Sequence, residues 1–279
     1  MNVCLDCDRH PCACPTTTDD FLTWAERDRG RSPHTLARYR AVLASLEPFG
    51  DPLTLDRDAI EAWWATRYDT SPATRANELA CLRSFYRWAT RFDHRPDDPT
   101  RRLDPPKIPN RVPRMIGRHD FGRLLGELTD DAPDMRRAYA LGGYAGLRVS
   151  EIASLDWRDV DQEARRMYVT GKGQKERPVP LSPVLLDYLL PVTGGNVVRA
   201  GGRPYSPGTL QRKMNRHMAR HGIDHTVHDL RKRGASIALS KGASPAAVRT
   251  MFGWSSMETV SHYAVVGDDE LDRIAEMLT

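Results

Sequence analysis

Six prolines crowd residues 95–113 of this chain: Pro96, Pro99, Pro105, Pro106, Pro109 and Pro113. Proline fixes φ and lacks a backbone N–H, so neither a helix nor an inner strand passes through such a stretch. The segment is predicted to be an extended linker, made basic by Arg101, Arg102, Lys107 and Arg111. It divides the 279 residues into a short tail (1–17), a first domain (18–94) and a second domain (114–279). Either domain is long enough to bury a core without staples.

The first domain reads as four helices. Asp19 or Asp20 is expected to cap the first, which ends at Gly30. Ser32-Pro33 opens the second, with serine as N-cap and proline in the first turn. Leu36, Tyr39, Val42, Leu43 and Leu46 follow at helical spacing. A third helix after Thr54–Asp56 carries Ile60, Trp63 and Trp64. A fourth, after Ser71-Pro72, carries Leu79, Leu82, Phe85, Tyr86 and Trp88 to about Phe92. These aromatic stripes read as core. Arg75, Arg83, Arg87 and Arg91 fall on the other side of the fourth helix, where they could meet phosphates.

The second domain is mixed. Helices are expected near 119–128, 134–145, 149–155, 182–190, 207–221, 228–241, 245–252 and around Tyr263, with a terminal amphipathic helix over Asp268–Leu278. Arg166–Thr170 and Arg177–Leu181 flank Gly171-Lys172-Gly173-Gln174-Lys175 and read as a hairpin with a glycine turn. The fold class is therefore mainly α with a small β-hairpin or sheet.

Charge narrows the partners. The net charge is only +4, but residues 199–233 hold nine Lys/Arg against two acids, together with His217, His221, His225 and His228. A stripe of this kind suits a phosphate backbone, although it would also serve as a solvated face; Arg212, Lys213 and Arg216 are its candidate contacts. No apolar run reaches membrane-span length and no secretory signal opens the chain, so a soluble cytoplasmic protein is expected, with no membrane partner. Four cysteines lie in the tail: Cys4, Cys7, Cys12 and Cys14. With His10 they could hold zinc, or they could form a reduced tail without metal; disulfides do not suit a cytosolic protein. Cys81 sits in an apolar helical pattern and is expected in the core.

Four segments carry chemistry: Gly146-Leu147-Arg148-Val149-Ser150-Glu151, the Gly171-Lys172-Gly173 turn, His228-Asp229-Leu230-Arg231, and Phe252-Gly253-Trp254 followed by Ser261-His262-Tyr263. In these segments the chain resembles the tyrosine recombinase family, also called phage integrases, over about residues 18–279. The boxes occur in the family's order and at suitable intervals. The resemblance implies a four-helix, SAM-like core-binding domain followed by a mixed α+β catalytic domain. It also implies site-specific DNA recombination through a 3′-phosphotyrosine.

By that resemblance Tyr263 attacks the scissile phosphate, and Arg148 and Arg231 hold its non-bridging oxygens with permanently charged forks. Lys172 protonates the leaving 5′ oxygen; Lys175 is its nearest competitor. His228 assists proton transfer, and its i, i+3 spacing to Arg231 puts both on one helical face. Glu151 could hold Arg148 in place. Many members carry histidine where this chain has Trp254; an indole N–H donates but cannot shuttle a proton, so Trp254 is expected to support the transition state. The chemistry requires no cofactor, because the covalent link stores the energy of the broken bond.

About 18 residues precede the first helix, too few for the extra domain that larger phage integrases use at arm-type sites. A minimal two-domain enzyme is expected, monomeric in solution and tetrameric on double-stranded attachment sites, with a directionality factor as a possible partner. Leu271, Ile274, Met277 and Leu278 give the terminal helix a stripe that could dock on a neighbour or on its own domain. Two rival readings are a topoisomerase-like strand-passage enzyme and a DNA-binding accessory protein without catalysis.

Overall fold

The computed structural model describes residues 17–109, 115–129, 132–171, 175–190, 194–261 and 276–277. The chain forms two units, Met1–Asn110 and Arg111–Thr279.

The first unit contains α1 (Thr17–Arg27), α2 (Pro33–Ala44), α3 (Arg57–Ala65) and α4 (Pro72–Arg91). Ser32, Asp56 and Ser71 cap α2, α3 and α4 by accepting the N–H of Thr35, Ala59 and Thr74. Asp19 and Asp20 do not cap α1; they sit in its first turn, where carboxylates favour the helix dipole. The core is aromatic. Phe21 meets Tyr39 at 5.1 Å and Phe85 edge-on at 5.3 Å. The buried Trp63 donates its indole N–H to Ser45, and Tyr86 donates to the Pro52 carbonyl. Cys81 lies in this core, as expected.

The proline-rich stretch begins differently from the expectation. Residues 99–102 form turns, and Thr100 and Leu103 are buried within the first unit. Arg95 folds back onto the Leu53 and Leu55 carbonyls and over the Tyr86 ring. Buried apolar surface and satisfied carbonyls outweigh proline's preference for a free extended chain until about Asp104.

The second unit contains α5 (Arg118–Leu125), α6 (Pro133–Tyr144), α7 (Val149–Ser154), β1 (Val160–Asp161), β2 (Arg166–Thr170), β3 (Glu176–Pro180), α8 (Pro183–Leu189), β4 (Arg199–Ala200), β5 (Arg203–Pro204), α9 (Pro207–Arg220), α10 (Val227–Ser240), α11 (Pro245–Phe252) and α12 (Met257–Ser261). The β2–β3 hairpin gains β1 as a third antiparallel strand, and β4 pairs with β5. Met167 and Val169 face the core from β2, and Val179 faces it from β3. The buried helix α6 packs closely on α10. A Cβ added to Gly234 would stand 2.9 Å from the Gly143 carbonyl, and one on Gly143 would stand 2.3 Å from the Phe121 ring.

Candidate active site

The site is assembled where α7, β3, α10 and the end of α11 meet. Gly146 starts it. Its φ of +63° lies in the left-handed region, and a Cβ there would stand 2.1 Å from the Phe252 ring. Only glycine fits, and the turn delivers Arg148 to the N-cap of α7.

Glu151, third residue of α7, is 3% exposed. One of its oxygens accepts the Arg148 backbone N–H at 2.8 Å and the other accepts Arg148 Nη1 at 2.9 Å. The expected hold on Arg148 is therefore present. Glu151 also receives a two-pronged bond from Arg177, at 3.0 Å to each oxygen. Burial pushes the Glu151 carboxyl up, but the bonds from Arg177 and Arg148 outweigh it and hold the pKa below the ordinary value.

Arg177 was not anticipated from the sequence, yet a signal for it exists. In β3 it shares the inward face with Val179, and an arginine on an inward strand position needs an internal anion.

The end of α11 gathers the guanidinium groups. Gly253 is left-handed, with φ of +59°, and closes the helix. Three successive carbonyls there each accept from a different arginine: Met251 from Arg177 Nε at 2.9 Å, Phe252 from Arg231, and Gly253 from Arg148 Nη2 at 2.9 Å. Terminal carbonyls lack partners within their own helix and carry the negative end of its dipole, so cations suit them. Arg231 also donates to the Gly146 carbonyl, lies 3.8 Å from Glu151, and sits over the Phe252 and Trp254 rings at 5.3 Å each. It is 2% exposed, whereas the Arg148 side chain is 37% exposed, so Arg148 is the more open of the two.

His228 is open to solvent on one side of α10. Desolvation on its inner side, with Lys232, Arg231 and Arg148 nearby, holds its pKa below the ordinary imidazole value. Asp229 beside it caps α10 through Thr226 and bonds Lys232 at 2.7 Å. Trp254 packs on Phe252 at 5.2 Å. Lys172, His262, Tyr263, Arg111, Cys4, Cys7, Cys12 and Cys14 lie outside the described residues, as do Leu271, Ile274 and Leu278.

The basic candidates separate into two groups. Arg87, Arg101, Arg102, Lys107, Arg212, Lys213 and Arg216 are exposed. Arg83 donates to the Leu103 carbonyl and so ties the proline-rich segment to α4. Arg75 lies over Tyr68 at 4.4 Å and Trp64 at 4.8 Å, half-buried. His217 also leaves the basic stripe. It faces inward, bonded to Tyr139 at 2.9 Å and the Leu128 carbonyl at 3.0 Å, because α9 turns that side toward α6.

Comparison with known proteins matches this arrangement to one family. Residues 119–270 match the phage integrase family, and residues 18–92 match the phage integrase N-terminal SAM-like domain. The chain is 32% identical to the tyrosine recombinase XerC of Rhodospirillum centenum, over 91% of this chain and 83% of that protein. It is 31% identical to the tyrosine recombinase XerD of Xanthomonas axonopodis pv. citri, over 90% of this chain and 92% of that protein. Its fold is similar to that of a lambda integrase tetramer bound to a Holliday junction, with a TM-score of 0.74 and 18% identity over 88% of this chain and 76% of that one. The chain belongs to the phage integrase family of tyrosine recombinases.

Proposed function

We propose that this protein recombines DNA at specific sites by forming a 3′-phosphotyrosine with Tyr263. The observation that carries the reading is the convergence of Arg148 and Arg231 on Glu151 and the end of α11. Cleaving a phosphodiester this way needs a nucleophile, a proton manager and cations aimed at the charge that develops on the phosphorane. Arg148 offers the open guanidinium. Arg231, 2% exposed beside it, joins Arg148 in holding the non-bridging oxygens. Lys172 protonates the leaving 5′ oxygen. His228, whose surroundings disfavour the imidazolium, exchanges a proton with the nucleophile, and the Trp254 N–H supports the transition state.

Residues 18–94 and 114–279 act as core-binding and catalytic domains joined by the 95–113 segment. Arg75, Arg83, Arg87, Arg101, Arg102, Lys107, Arg111, Arg212, Lys213 and Arg216 contact phosphates. Two attachment sites are brought together by four copies of the chain, each a monomer before it binds DNA, and a directionality factor biases the outcome. The reaction takes place in the cytoplasm, at the nucleoid or in the host of a phage. No described helix is long and apolar enough to cross a membrane. The chemistry calls for no cofactor. Zinc at Cys4, Cys7, Cys12 and Cys14 would serve the tail alone.

The test is covalent trapping on a nicked suicide duplex that carries the attachment site. Wild-type protein is expected to give a denaturation-resistant adduct that Tyr263→Phe abolishes. Site-specific binding without an adduct would overturn the reading in favour of an accessory DNA-binding role. Relaxation of plasmids lacking the site would favour strand passage.

A further inference from the structure

We propose that Arg177 is a positioning residue for strand cleavage: it neutralises Glu151 and pins the end of α11, leaving the charge of Arg148 and Arg231 available to the DNA phosphate. This rests on the recombinase reading above. Arg177 does not itself face a substrate. Its side chain is 11% exposed, and all three of its nitrogens point inward, Nη1 and Nη2 to the two Glu151 oxygens and Nε to the Met251 carbonyl. The approach is close. A Cβ on Gly253 would lie 3.0 Å from the guanidinium carbon, so the glycine that closes α11 also makes room for Arg177.

The charge balance explains the role. Glu151 orients Arg148 through two bonds. A buried carboxylate draws on whatever cations surround it. Among the described residues those are Arg148, Arg177 and, at 3.8 Å, Arg231. With Arg177 in place, three described guanidinium groups meet one carboxylate, and the cluster keeps a net positive charge for the phosphate. Without it, Glu151 would claim the same two groups that the reaction needs, and Met251 would lose the bond that fixes α11 beside Arg148 and Arg231. A two-pronged guanidinium meets both demands, whereas a lysine ammonium reaches only one partner well.

The experiment measures single-turnover adduct formation on saturating suicide duplex, with site affinity and thermal unfolding recorded alongside. Arg177→Met is expected to slow adduct formation by about 100-fold, comparable to removing a transition-state donor, while affinity stays within about threefold. Adding Glu151→Gln to Arg177→Met removes the carboxylate that competes for Arg148 and Arg231 and is expected to recover about tenfold of the lost rate. A purely structural role for Arg177 would make the double variant slower still. The proposal is overturned if folded Arg177→Met cleaves within about threefold of wild type, or if the double variant is no faster than Arg177→Met. Should Arg177→Met fail to fold, Arg177→Lys takes its place; a loss of about tenfold supports the role and an unchanged rate overturns it. Absence of an adduct from the wild type would defeat the recombinase reading and this role with it. An adduct from wild type that Arg177→Met matches defeats this role alone.

Discussion

A buried carboxylate held by two guanidinium groups cannot be removed without consequence. Glu151→Ala leaves Arg148, Arg177 and Arg231 around an empty position, and is expected to lower the unfolding free energy by about 3–5 kcal/mol in urea denaturation. Trp254 invites a finer test. Trp254→Phe keeps an aromatic ring near Phe252 and Arg231 but removes the N–H donor. Adduct formation is expected to fall about tenfold with the unfolding midpoint little changed, and an unchanged rate would confine Trp254 to packing. At this scale the sequence exposes what is local. Arg148 and Glu151 are one helical turn apart, so their pairing can be read from spacing. Arg177 lies 26 residues from Glu151, and only the β2–β3 register and the placement of α7 bring them together. The inward strand position is its single legible sign. His217 shows the opposite failure: its neighbours in sequence are basic, but its neighbours in space are Tyr139 and the Leu128 carbonyl.

Among the elements, those with caps and a long apolar period are the ones the sequence announces. Ser32-Pro33 and Ser71-Pro72 mark helix starts because serine accepts a first-turn N–H and proline needs no partner there. Ser71→Ala is expected to destabilise the first unit by about 1 kcal/mol, measured by thermal or urea unfolding. The strands β1, β4 and β5 are two residues each and carry no alternation, so their pairing is set by the surrounding chain. The packed half of the proline-rich segment is hidden for another reason. Proline density forbids helix, but it does not say that Leu103 will find an apolar pocket. Gly146 is decisive for the second unit. Gly146→Ala combines a left-handed φ with a contact that Phe252 must vacate, and is expected to lose at least about 2 kcal/mol of stability or fail to accumulate as folded protein.

For the molecule as a whole, pH and salt are the useful variables. Desolvation holds the pKa of both His217 and His228 below the ordinary value of 6.5. The unfolded chain then takes up protons near pH 6.5 that the folded chain refuses. Stability is therefore full above that pH and declines as pH falls below it, until the folded histidines also protonate. Glu151 and Asp229, held below their ordinary values, add a second decline at lower pH, as acid protonates the unfolded carboxylates first and the folded ones last. Urea unfolding at pH 7.5 and 5.5 should give the lower stability at 5.5, and His217→Gln should flatten part of that difference. On DNA, each exposed cation that meets a phosphate should contribute about 0.9 to the slope of log affinity against log salt, so Arg216→Gln is expected to reduce the slope by about that amount. One turn of α11 accepts bonds from Arg148, Arg177 and Arg231 alike. The three cations thus share a single mechanical support, and their geometry is a collective property of that turn. Damage to them should be sub-multiplicative, the second lesion finding the support already loosened.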